Sequence, residues 1–121
     1  MAKKLAMVFG VVFILVGLLG FFNNPILGIF AVNGAHNVVH LLIGIVMVIM
    51  ASQGEASAAM SMNIFGVVYL LVAVLGFVMK SPMLGFIAYN GADNWLHVVL
   101  GIVLLAAGMS AKKSVPAAPA M

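Results

Sequence analysis

Four apolar runs alternate with short polar breaks along the chain, at residues 5–22, 33–51, 60–79 and 92–109. Each holds roughly 18–20 residues, and at 1.5 Å per residue each reaches about 27–30 Å, the thickness of a bilayer's hydrocarbon core. With no water there to satisfy N–H and C=O groups, a crossing segment must pair its own backbone, so such runs are helices. The pattern therefore predicts an all-α membrane protein with four transmembrane helices.

The breaks are of two kinds. After the first run comes Asn23-Asn24-Pro25, then ILGIFAV, then Asn33; after the third comes Lys80-Ser81-Pro82, then MLGFIAY, then Asn90. Proline ends a helix because it lacks the N–H and clashes with the preceding turn. The seven apolar residues that follow are too few to cross, so they are expected at, or dipping into, the outer interface, with Tyr89 in an interfacial aromatic belt. The middle break, SQGEAS, is short and polar and carries Glu55. This divides the chain into an N-terminus (1–4), a first two-span repeat (5–51), a cytoplasmic loop (52–59), a second two-span repeat (60–109) and a tail (110–121). The tail, SAKKSVPAAPAM, has nothing to bury and is expected to be disordered.

The halves are copies. FGVVFILVGLLGF, beginning at Phe9, recurs as FGVVYLLVAVLGF at Phe65, and PILGIFAVNGAHNVVHLLIGIV at Pro25 recurs as PMLGFIAYNGADNWLHVVLGIV at Pro82. Each copy holds two spans, so both enter from the same side, as two tandem, parallel-related helical hairpins.

Composition sharpens this picture. Hydrophobic residues make up 66% of the 121 positions and charged residues only 6%, against about 25% charged in soluble domains. Lipid, not water, must cover most of the surface. Lys3, Lys4, Lys112 and Lys113 lie near the two ends, which with an even number of spans predicts cytoplasmic termini rather than a nucleic-acid surface. Lys80 is the exception, expected to snorkel to the outer headgroups. The first run is expected to remain as a span and not act as a cleaved leader, since a similar run recurs mid-chain. The absence of cysteine excludes disulfides, thiolate catalysis and cysteine metal sites.

Polar chemistry is concentrated in NGAHNVVHLLIG and NGADNWLHVVLG. Asn33 and Asn90 are placed to cap the second and fourth helices, with His36 and Asp93 where a capping box sets an acid. His40 and His97 follow one turn further in, on the same helix face, and Asn37 and Asn94 lie beside that face to bond across helices. The four groups His36, His40, Asp93 and His97 admit four readings. They form a hydrogen-bonded seam between the repeats, a metal site for zinc or copper, a haem b site between His40 and His97, or part of a proton or ion relay. The contrast of His36 with Asp93 fits a charge-complementary pair under any of them.

Other positions read as scaffold. Gly10, Gly17, Gly20, Gly44, Gly66, Gly76 and Gly101 are small residues of the kind that let helices approach. The ten methionines mostly exchange for other residues between the copies, which marks packing and not copper(I) ligation. Trp95 is expected as an interfacial anchor. No nucleophile–base pair, phosphate loop or paired carboxylate appears, so no enzymatic activity and no resident cofactor are expected.

LGIFAVNGAHNVVHLLIG and NGADNWLHVVLG resemble the paired Asn-x-x-His helix starts of a bacterial family of small four-span membrane proteins, the domain-of-unknown-function family DUF4383. The resemblance runs from Val8 to about Gly108, with motif residues at Asn33, His36, Asn37, His40, Asn90, Asp93, Asn94 and His97. It implies a bacterial cell (inner) membrane location and no established activity. The leading functional expectation is a non-enzymatic membrane protein that assembles with itself or with a larger membrane complex, with the bilayer as its other partner. A metal- or haem-binding role is the alternative, and a conduit the third.

Overall fold

The computed structural model describes residues 1–114, with side chains as far as Ala111. Four helices follow one another: α1 (Ala2–Gly20), α2 (Gly34–Ser52), α3 (Glu55–Val78) and α4 (Gly91–Ser114). All four are long and apolar enough to cross a membrane, α4 over Gly91–Ala111, and among the described residues there is no strand. The chain is a multi-pass membrane protein by these criteria. Its outward surface carries Leu15, Leu42, Leu71 and Ile102, each more than half exposed, as a lipid-facing surface requires.

Three boundaries differ from the sequence pattern. The polar break at residues 52–59 contracts to Gln53 and Gly54, because Glu55 opens α3 as the acidic residue of its first turn, where the helix dipole favours a carboxylate. Glu55 also accepts the Lys3 backbone N–H at 2.9 Å, which ties the start of α3 to the start of α1. At the other end α4 continues through Ser110 to Ser114, so the expected break at Ser110 is absent; the rest of the expected disordered tail lies outside the described residues. Tyr89 is buried, not belted at an interface: its hydroxyl donates to the Met79 carbonyl and its N–H to Ser81 Oγ.

α1 packs chiefly on α2 and α3 on α4. The contact is backbone on backbone. A Cβ added at Gly44 would stand 2.6 Å from the Gly10 carbonyl oxygen, and one at Gly101 would stand 3.0 Å from that of Gly66. A methyl group at Gly20 would overlap the Asn37 amide, and one at Gly76 the Asn94 amide. Helices this close gain dispersion contacts that lipid cannot supply. Between the pairs, Met47 and its repeat counterpart Leu104 are both fully buried, with Met62 and Ala58 beside them.

The apolar heptads are neither spans nor flat interfacial segments. Each is a tight reversal. Ile26 and Phe30 exchange both backbone hydrogen bonds, as do Met83 and Ile87. Leu27-Gly28 and Leu84-Gly85 turn through positive φ, a region glycine enters freely and leucine rarely does. Ile26 and Val32 point inward in one copy, Met83 and Tyr89 in the other, while Leu27, Ile29, Leu84 and Phe86 stay outside. Asn33 Nδ2 donates to the Phe86 carbonyl and Asn90 Nδ2 to that of Ile29. The two reversals are thus laced together as one cap over the end of the bundle where α2 and α4 begin.

Candidate metal centre

Below that cap the two polar motifs meet. Asn33 Oδ1 accepts the His36 N–H at 2.9 Å and Asn90 Oδ1 accepts that of Asp93 at 3.0 Å, which fixes where α2 and α4 start and so the depth of every later residue. His36, His40 and His97 are all buried. One ligand nitrogen from each of the three lies within 4.8 Å of the others. Their ring centres are 5.1 Å (His36–His40), 5.9 Å (His36–His97) and 6.4 Å (His40–His97) apart.

The hydrogen bonding of the rings is uneven. His36 Nδ1 lies 2.7 Å from the Ala88 carbonyl, and the Ala31 carbonyl also bears on this ring. A carbonyl only accepts, so Nδ1 carries the proton toward Ala88. An imidazole oriented by a backbone carbonyl is the usual support for a metal ligand. His40 Nδ1 and His97 Nδ1 are buried with no hydrogen-bond partner, and so is the Tyr69 hydroxyl. Each such atom costs about 1–3 kcal/mol when nothing satisfies it. A tetrahedral Zn²⁺ with bonds of about 2.0–2.1 Å needs its nitrogens roughly 3.3 Å apart, so ring shifts of about 1 Å would close the three histidines on an ion.

Asp93 does not join them. Its Oδ2 accepts the Asn90 N–H at 3.0 Å, completing a capping box with its own helix start. The expected His36–Asp93 charge pair does not form either, because the His36 ring turns to Ala88 while Asp93 turns to Asn90. Asn37 and Asn94 lie against Gly20 and Gly76 within their own hairpins, and Asn94 Nδ2 donates to the Gly76 carbonyl at 3.1 Å.

Two aromatic residues that the motif reading passed over complete the layer. Phe13 and Tyr69 occupy the same repeat position, and their ring centres are 5.4 Å apart. Phe13 sits 5.8 Å from His40, and Tyr69 5.3 Å from His97 and 6.1 Å from His40. The signal was present as the Phe-for-Tyr exchange that directly follows the matching FGVV run.

Two cavities flank the histidines, and both touch all three. The larger, about 150 Å³, is walled by Val16, Leu19, Ile26, Phe30 and Leu96 and has Asp93 at its edge. The smaller, about 70 Å³, has Tyr69, Val72, Met83 and Tyr89. Val32 in the first is the counterpart of Tyr89 in the second, and the larger side chain accounts for the smaller space. Neither approaches the roughly 300–1,000 Å³ of a site for a drug-sized ligand. A porphyrin is as large as such a ligand, so haem does not fit either space.

The sequence pattern of a family described as Domain of unknown function (DUF4383) matches residues 3–110, which takes in nearly all of the four helices. No curated protein and no solved structure matches the chain.

Proposed function

The chain belongs to the DUF4383 family, and on that premise, with no activity attached to the family description, we propose that it is a membrane protein that holds one transition-metal ion between its repeats. The observation that carries this reading is the convergence of His36, His40 and His97, buried and within 4.8 Å at their ligand atoms. Three neutral imidazoles with an open fourth position suit zinc or copper. The reading assigns no reaction to the chain.

The expectation of assembly through glycine faces loses its support at the same residues. Gly10, Gly17, Gly20, Gly44, Gly66, Gly76 and Gly101 each meet a helix of the same chain, which leaves none of these seven to seat a partner. A conduit lacks a polar route onward, since Met47, Met62 and Leu104 fill the centre beyond the histidines. We place the protein in the bacterial cell membrane, with the lysine-bearing ends cytoplasmic and the metal toward the outer leaflet.

The test is metal titration of the protein purified in mild detergent. One equivalent of Zn²⁺ or Cu²⁺ per chain, lost in His40→Ala, is the expected result. Substoichiometric binding that His40→Ala leaves unchanged would overturn the proposal.

A further inference from the structure

We infer that Tyr69 is the fourth ligand, and that its phenolate makes the site a copper(II) site. This rests on the three-histidine reading above. The Tyr69 side chain is 3% exposed, and its hydroxyl is buried with no partner. It lines the same cavity as His36, His40 and His97, with its ring 5.3 Å from His97 and 6.1 Å from His40. The hydroxyl is not there for packing, because Phe13 fills the equivalent position of the first repeat without one. Three buried polar atoms in one aromatic layer, Tyr69 Oη, His40 Nδ1 and His97 Nδ1, are each without a partner. An ion among them answers for all three rings.

The donor set selects the ion. Three imidazole nitrogens and a phenolate oxygen form an N,O set, which at tetragonal geometry favours Cu²⁺, and Cu²⁺ heads the affinity order for such ligands. On binding, the Tyr69 O–H bond breaks, the oxygen's electron pair bonds copper, and the proton leaves to bulk water. No electron is transferred. The phenolate cancels one of copper's two positive charges, while the Asp93 carboxylate, held by its own helix start, lies at the edge of the larger cavity. A charge buried among membrane helices needs such partners.

Tyr69→Phe tests this, since Phe13 shows that a phenyl ring is accommodated in this layer. Wild-type protein and variant are titrated with CuSO4 in detergent, following visible absorption, proton release and affinity by competition with a chelator. The expected result is one equivalent in the wild type with a phenolate-to-copper charge-transfer band. The variant still takes copper, without the band, with one proton fewer released, and at least about tenfold more weakly. Identical spectra and proton counts would overturn the role of Tyr69 while leaving the three-histidine site standing. Failure of the wild type to bind any metal would overturn both.

Discussion

Asn33 and Asn90 each reach into the other's repeat for the same group: Asn33 Nδ2 donates to Phe86 O at 2.9 Å, and Asn90 Nδ2 donates to Ile29 O at 2.8 Å. Ile29 and Phe86 are themselves repeat counterparts, so equivalent residues exchange equivalent bonds, as at a two-fold interface. Each asparagine also caps its own helix through Oδ1. One side chain therefore sets both the start of a helix and the register of the two halves, and the histidines about one and two turns below inherit both.

The two roles of Asn33 separate by substitution. Serine retains an oxygen for the cap but cannot reach Phe86, so Asn33→Ser is expected to cost about 0.6–2 kcal/mol, the range for an interhelical bond in a membrane bundle. Asn33→Ala loses the cap as well and is expected to cost roughly 1 kcal/mol more. Reversible unfolding in detergent compares them; an unchanged stability in Asn33→Ser would show that the cross-repeat bond contributes nothing, and equal losses in the two variants would show the same of the cap.

The glycines divide sharply by what surrounds them. Gly44→Ala would drive a methyl group to 2.6 Å from the Gly10 carbonyl, and separating two packed helices to relieve that is expected to cost about 1–3 kcal/mol. Gly34 has nothing within 4 Å of a built Cβ, so Gly34→Ala is expected to be neutral or to stabilise by up to about 1 kcal/mol through helix propensity. Thermal unfolding of the two variants side by side measures the contrast.

The fold was legible because lipid simplifies the problem. Four runs of the right length admit little besides four helices, and the copied strings announced that what happens in one half happens in the other. The break at residues 52–59 is shorter in the structure than the pattern suggests because polar residues in a helix's first turn look like loop residues, and Glu55 satisfies a helix start as well as it satisfies a loop. Tyr89 differs for a similar reason: a tyrosine near a span end suits an interfacial belt by type, and only the reversal at Leu84-Gly85 turns it inward. In the site, spacing placed His36 and His40 on one face, but it could not say that Asp93 would turn back to its own cap. Nor could it say that Tyr69, on the intervening α3, would close the layer. Those depend on how α1 and α3 are set against α2 and α4, which no single helix encodes.

If the three histidines hold an ion, folding and loading are linked. An ion that binds only the folded chain at about 100 times its dissociation constant adds about 2.7 kcal/mol. Saturating Cu²⁺ or Zn²⁺ is therefore expected to raise the unfolding midpoint, excess chelator to reverse the rise, and His97→Ala to abolish it. A rise of the same size in His97→Ala would assign the effect to other groups.

Without metal, the same layer makes the opposite prediction for Tyr69. Its hydroxyl is buried and unpartnered, so removing it takes away an unsatisfied donor and leaves a ring in place. Tyr69→Phe is expected to leave the chelator-treated protein as stable as the wild type, or more stable by about 1 kcal/mol. With metal present the order reverses, because the variant loses a ligand and so part of the stabilisation that binding adds. The crossing of the two orders is the informative measurement. A hydroxyl that merely packs, or that bonds a trapped water, would leave Tyr69→Phe less stable under both conditions, and metal would not change the ranking. Unfolding midpoints of both proteins, with chelator and with saturating Cu²⁺, separate the two outcomes.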